Sequence, residues 1–214
     1  MESLKTEDIL SNLYVLSMLG SEENVELLKK QIKFNDSNVF YGLNFKKMFH
    51  NINPYDSKMI PHETKYYITF KTGAVACMLN HYYAISDAYK KGLKYSFFIE
   101  DDVELTDSIE TLNKSISELP DDFDALNFGW IPSIVLKERR VTPVEYSKNL
   151  YRGENMDRSG AFGYMLSRKG MEKVLSILKN DFIISDLMFR HLNSFYTKEP
   201  LLTHQPAFVE SRIR

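Results

Sequence analysis

Apolar and polar positions alternate along this chain in two rhythms, and the switches between them mark its elements. Residues 13–19 form a short apolar run closed by Gly20, the pattern of a buried strand. Ser21 then opens a helix with acids in its first turn and Val25, Leu28 and Ile32 on one face. Residues 39–42 read as a second strand. A long helix follows from Thr72, where Val75, Met78, Leu79, Tyr82, Ile85 and Tyr89 recur at helical spacing before Gly92 ends it. Residues 95–99 make a strongly apolar strand that runs directly into Glu100, Asp101 and Asp102. The next helix carries Ile109, Leu112, Ile116 and Leu119 as its stripe, with Thr106 or Asp107 as its cap. Residues 124–129 predict another strand.

Residues 131–158 show little periodicity, and a stretch of that length serves a site or moves. A strand at 161–166 and a helix faced by Met171, Val174, Leu175 and Leu178 come next, then a short helix at 186–193 and an extended tail. Repeated strand–helix alternation predicts an α/β fold, a three-layer α/β/α domain occupying residues 1–214 as one unit.

Composition narrows the function by exclusion. With 43% hydrophobic and 26% charged residues the chain is globular, and a net charge of -2 offers no broad attraction to nucleic acid or anionic lipid. Cys77 is the only cysteine, so no intrachain disulfide forms. The N-terminus MESLKTEDIL lacks signal-peptide features and no apolar run approaches the ~18 residues of a membrane span, so a soluble, cytoplasmic protein without a transmembrane segment is expected. Walker, Gly-x-Gly-x-x-Gly and Gly-x-Ser-x-Gly motifs are missing, and no His/Cys spacing fits a zinc site.

The acidic triplet carries the chemistry. Ligands of open α/β sheets bind beyond the carboxyl ends of strands, where Glu100, Asp101 and Asp102 stand. Adjacent carboxylates repel, and a hard divalent cation such as Mn²⁺ or Mg²⁺ relieves that repulsion while taking phosphate oxygens. His81, mid-helix among apolar neighbours, reads as a hydrogen-bonded core histidine, and Cys77 as a small core residue.

Four segments, in order, resemble glycosyltransferase family 25, which includes lipopolysaccharide galactosyltransferases and procollagen galactosyltransferase-like enzymes. Thr72-Gly-Ala-Val-Ala-Cys-Met-Leu-Asn-His81 is similar to the family's Gly-Glu-Ile-Gly-Cys-x-Leu-Ser-His segment, and Phe98-Ile-Glu-Asp-Asp-Val to its Leu-Glu-Asp-Asp-Val strand end. Ser159-Gly-Ala-Phe-Gly-Tyr-Met-Leu-Ser-Arg-Lys-Gly170 resembles its Gly-(Ser/Thr)-x-x-Tyr-x-(Ile/Leu)-Ser-x-x-Gly block, and Asp186 falls where the family carries an aspartate. Ala74, Ala76 and Asn80 depart from the first pattern, and no arginine follows the first strand within residues 21–27.

The resemblance implies a GT-A-like fold with a mixed, mostly parallel sheet. It also implies transfer of a hexose, galactose or glucose, from a UDP-sugar to a glycan or protein hydroxyl, with inversion. It makes Asp102 the direct ligand of Mn²⁺ or Mg²⁺, Glu100 a contact to the nucleotide or a metal-bound water, Asp101 a support behind them, and His204 a further ligand. Leu16 and Ser17 on the first strand would border the nucleotide. Asp186 is the candidate base for the acceptor hydroxyl. Two alternatives stay open: a metal-dependent nucleotidyltransferase, which would release pyrophosphate instead of UDP, and a catalytically silent sugar- or nucleotide-binding relative, which would not turn over.

Overall fold

The structure, a computed structural model, describes residues 6–42, 72–132, 143–153, 158–180, 183 and 185–204. A short helix α1 (Thr6–Ser11) precedes β1 (Leu13–Met18), α2 (Glu22–Lys29) and β2 (Val39–Gly42). The long helix α3 (Thr72–Lys90) leads to β3 (Tyr95–Glu100), β4 (Val103–Leu105), α4 (Thr111–Ser117) and β5 (Ala125–Pro132). Then come β6 (Leu150–Arg152), β7 (Arg158–Ser167), α5 (Arg168–Asn180), a 3-10 turn (Ser185–His191), β8 (Ser194–Thr197) and β9 (Leu202–His204).

Among the described residues, nine strands form one sheet in the order β2-β1-β3-β7-β5-β8-β6, with β9 beside β5 and β4 beside β9. The pairings set β1, β2, β3, β5, β8 and β9 in one direction and β4, β6 and β7 in the other, so the sheet is mixed and mostly parallel. Period-two alternation gives each central strand two apolar faces. Leu13, Val15, Phe97 and Ile99 pack with Ile9, Leu28, Leu112 and Ile116 on the side of α1, α2 and α4. Tyr14, Leu16 and Phe98 pack with Ala84, Ile85, Ala88, Met171 and Val174 on the side of α3 and α5. Each face buries apolar side chains against helices, which is the expected α/β/α layering.

The departures from the sequence pattern have local causes. Ser21 stands at the N-cap of α2, but its side chain makes no capping bond; the Glu22 carboxylate instead accepts the Gly20 N–H at 3.0 Å. Asp107 does not cap α4 directly. It accepts the Ser108 N–H at 2.7 Å and the Thr111 hydroxyl at 3.1 Å, and the helix begins at Thr111. The stretch 131–158 is partly ordered, since Ile131 and Pro132 extend β5 and Leu150–Arg152 pairs with β8. Its residues 133–142 and 154–157 lie outside the described residues, and so does the mobility expected of them. The expected helix at 186–193 is a 3-10 turn, and the tail to His204 supplies two strands of the sheet. These strands are three or four residues long, too short for a periodic signal.

Candidate active site

Strand β3 delivers Glu100 at its end, and the chain then turns through residues 101 and 102 into β4. Alternation sets Glu100 and Asp101 on opposite faces, and the turn at 101 and 102 sends Asp102 a third way. Glu100 shares the face of Phe98 and meets α3, where the His81 Nε2 lies 3.3 Å from its Oε1 and the Cys77 thiol 3.7 Å from the same oxygen. Asp101 turns to the opposite face. Its N–H donates to the Leu16 carbonyl at 3.0 Å, extending the β1–β3 ladder by one residue. Its side chain is only 7% exposed and accepts the Ser17 hydroxyl at 2.6 Å. Burial pushes the Asp101 carboxyl up to about 7 against the Ser17 hydrogen bond, and the negative charge of Asp102 adds to the rise.

Asp102 points a third way, toward β9. Val103 pairs with His204 across the β4–β9 ladder, so the histidine is carried next to the acid. The Asp102 Oδ1 lies 3.7 Å from the His204 Nδ1, an ion-pair distance too long for a hydrogen bond. That oxygen is shut off from solvent and has no hydrogen-bond partner. A buried carboxylate oxygen without a partner carries a desolvation cost that a bound cation would remove. The His204 ring also packs on Phe162 with centroids 4.3 Å apart. Its basicity is raised chiefly by Asp102, against burial, and further by Glu100 and Asp186.

Asp186 enters from the 3-10 turn. It is exposed to solvent yet has enough protein around it that desolvation raises its carboxyl, as at the wall of an open cleft. The Glu100 charge raises it further, while His81, His204 and a hydrogen bond from the Ala161 N–H act in the opposite sense. Glu100, Asp102, Asp186 and His204 therefore share one electrostatic neighbourhood at the carboxyl ends of β1 and β3.

Leu16 and Ser17 border this neighbourhood with occupied side chains. Leu16 is in the core, and Ser17 is buried on Asp101 while its carbonyl accepts the Asn80 side-chain N–H at 2.8 Å. Asn80 also donates to the Phe40 carbonyl at 3.3 Å, so it ties α3 to both β1 and β2.

His81 is the hydrogen-bonded core histidine that its sequence context predicts, but its second nitrogen reaches the site. Tyr164 on β7 is fully buried, burial holds its hydroxyl well above the ordinary phenol value, and that hydroxyl lies 2.7 Å from the His81 Nδ1, to which it donates when the ring carries its proton on Nε2. In that tautomer the Nε2 proton faces Glu100. Burial likewise pushes the Cys77 thiol up, with Glu100 adding to it. Sequence reasoning missed that Cys77, His81 and Tyr164 meet Glu100; the available signal was the four-residue spacing of Cys77 and His81, which places both on one helix face.

A family model for glycosyltransferase family 25 (LPS biosynthesis protein) matches residues 11–189. The chain belongs to glycosyltransferase family 25. The matched span holds β1, the acidic turn, His81, Tyr164 and Asp186, and its domain is a glycosyltransferase domain. His204 lies beyond the family 25 match, on the strand that carries it back to Asp102. No curated protein matches the chain. Among solved structures, it is similar to A197 from STIV at 16% identity and a TM-score of 0.36, covering 58% of this chain and 63% of that one. The chain thus spans less than two thirds of the length of A197. Among the described residues, no helix is long and apolar enough to cross a membrane.

Proposed function

We propose that this family 25 domain transfers a hexose from a UDP-sugar to a hydroxyl of a glycan or protein acceptor, with inversion, and that it does so with Mn²⁺ or Mg²⁺. The observation that carries the reading is the convergence of Asp102 and His204, whose Oδ1 and Nδ1 stand 3.7 Å apart, beside Glu100 and Asp186. Donors that share one cation at bonds of about 2.1 Å stand roughly 3–4 Å apart, so this pair fits a common ion with little movement. Asp102 and His204 would hold it, and Glu100 would meet a metal-bound water or the nucleotide. When bound, the cation offsets the negative charge that builds on the departing diphosphate.

The protein's own residues supply the rest. Asp101, buried on the Ser17 hydroxyl through its Oδ2, would support the turn that aims Asp102. Leu16 and Ser17 would form the edge along which the nucleotide lies. His81, oriented by Tyr164, holds the Glu100 carboxylate in one position. Asp186 would take the proton of the acceptor hydroxyl: its carboxyl is raised toward the range of a useful base and remains open to solvent.

The test is a thermal-shift screen of nucleotide sugars with and without Mn²⁺ or Mg²⁺, because ligands that bind the native state raise its melting temperature. A UDP-sugar and the metal together should stabilise more than either alone. A melting temperature unmoved by every donor–metal combination would overturn the reading.

A further inference from the structure

We propose that Cys77, His81 and Glu100 form a second cation site, selective for a borderline-soft divalent ion such as Zn²⁺ and separate from the Asp102–His204 pair. Cys77 and His81 stand four residues apart on α3 and project from one face, while Glu100 arrives from the end of β3. One donor atom from each, the Sγ, a ring nitrogen and a carboxylate oxygen, lies within 4.8 Å of the other two. The Sγ–Oε1 separation is 3.7 Å and the Nε2–Oε1 separation 3.3 Å. Tetrahedral zinc bound at about 2.0–2.3 Å places its ligands roughly 3.3–3.8 Å apart, so the two measured spacings already suit it.

The surroundings complete the site. A zinc-bound histidine needs a partner on its other nitrogen to fix its tautomer, and the Tyr164 hydroxyl lies 2.7 Å from the Nδ1. With the ion on Nε2, the Nδ1–H donates to the Tyr164 oxygen, reversing the direction of that hydrogen bond. Binding releases the Cys77 proton to solvent and leaves the thiolate on the ion. The Ser185 Oγ lies 3.7 Å from the Sγ, and water would complete the four ligands. Cys77 and Glu100 are both partly exposed, which gives the ion a way in. Sulfur and imidazole favour zinc over the hard ions that suit a carboxylate-rich site.

The test uses the full chain, stripped by chelator and free of nucleotide, titrated with Co²⁺ as a coloured probe and then with Zn²⁺. Wild type should develop a near-ultraviolet thiolate-to-Co²⁺ band that saturates at one equivalent and is removed by one equivalent of Zn²⁺. Cys77→Ser, with Cys77→Ala as a second variant, should lack the band and bind Zn²⁺ more than ~100-fold more weakly, beyond the ~10–100-fold expected of an outer-shell change. Tyr164→Phe should keep the band and weaken Zn²⁺ about 10-fold. Asp102→Asn should retain both band and affinity. Absence of the band in wild type, Zn²⁺ affinity in both cysteine variants within about threefold of wild type, or loss of the band in Asp102→Asn would each overturn the proposal. Glu100 also belongs to the acids of the proposed transfer reaction, so on that reading Zn²⁺ should inhibit turnover in wild type and spare Cys77→Ser. The spectra need no turnover, so the two readings fail separately.

Discussion

Asp102 and Asp124 are carboxylates flanking buried strands at opposite ends of the same sheet, and the chain treats them differently. Asp124 precedes β5, is fully buried, and its Oδ2 takes both the Lys173 ammonium and the Asn193 N–H at 2.8 Å. Its backbone carbonyl accepts the Ser167 N–H at 3.0 Å. Helix α5 presses so close that a Cβ at Gly170 would come within 2.1 Å of that carbonyl oxygen. At this end the protein's own cation and a backbone donor meet the Asp124 Oδ2, while its Oδ1 has no hydrogen-bond partner. At the other end, Glu100, Asp102 and Asp186 have no lysine or arginine partner among the described residues; the basic groups that approach them are the histidines His81 and His204. A carboxylate answered within the chain serves the fold, and carboxylates gathered without an answer are arranged for something that comes from solution.

The sharpest way to break this contrast is Asp102→Asn. The substitution removes charge without volume, and what it gives up in the fold is the 3.7 Å ion pair to His204, whose two side chains are partly exposed. Metal-dependent turnover should disappear while stability stays within ~1 kcal/mol of wild type. Near-wild-type turnover under limiting Mn²⁺, measured as UDP release, would place the ion elsewhere. Asp186→Asn should follow, with turnover lowered ~10²–10⁴-fold and donor affinity unchanged, because the side chain would serve the acceptor. The amide oxygen can still accept the Ala161 N–H, so a merely structural role would leave turnover intact.

The contrast was half legible in the sequence. The strand running into Glu100, Asp101 and Asp102 was visible because the largely apolar run from Tyr95 to Ile99 ends abruptly in charge. That the triplet divides its labour was not visible: Asp101 is captured by Ser17, 84 residues away, and only the assembled β1–β3 ladder brings them together. Asn80 read as a departure from the family serine, and the structure gives it a positive role, since its amide bridges β1 and β2. Strands β1 and β3 were predicted within a residue because burial on both faces writes a strong pattern, whereas β5 and β7 each run three residues past the apolar stretch that marked them. Strands β4, β6, β8 and β9 were missed because short strands take their identity from their partners. Asp124 gave no local sign of its pairing, since Lys173 and Asn193 are distant in sequence and meet it only through α5 and β8.

Breaking the answered end should cost stability and spare chemistry. Asp124→Ala strands the Asn193 N–H and removes the partner of Lys173. Losing one member of a buried ion pair costs about 3–5 kcal/mol, but Lys173 is 40% exposed and can turn to water. A loss of roughly 2–3 kcal/mol is expected in urea unfolding, with turnover per folded molecule unchanged. A variant as stable as wild type would show that the pair contributes nothing to the fold.

The smallest effect sharpens the rule at a second answered acid. Glu118, at the C-terminal end of α4, accepts the Ser147 hydroxyl and the Asn149 N–H at 3.0 Å, holding the turn before β6. Burial pushes its carboxyl up, but the hydrogen bonds from Ser147 and Asn149 outweigh that and hold it below its ordinary 4.5. A folded-state value lowered in this way stabilises the native protein above pH 4.5, and the contribution fades as pH falls through the lowered value. Glu118→Gln keeps the shape but loses the charge, so it should cost about 1 kcal/mol at pH 7. Below pH 4.5 the wild-type carboxylate also becomes neutral, and the gap between the two proteins should narrow. Melting temperatures recorded from pH 7 to pH 3 decide the matter: a gap that stays constant would mean that the charge of Glu118, unlike that of Asp124, is not what the turn answers.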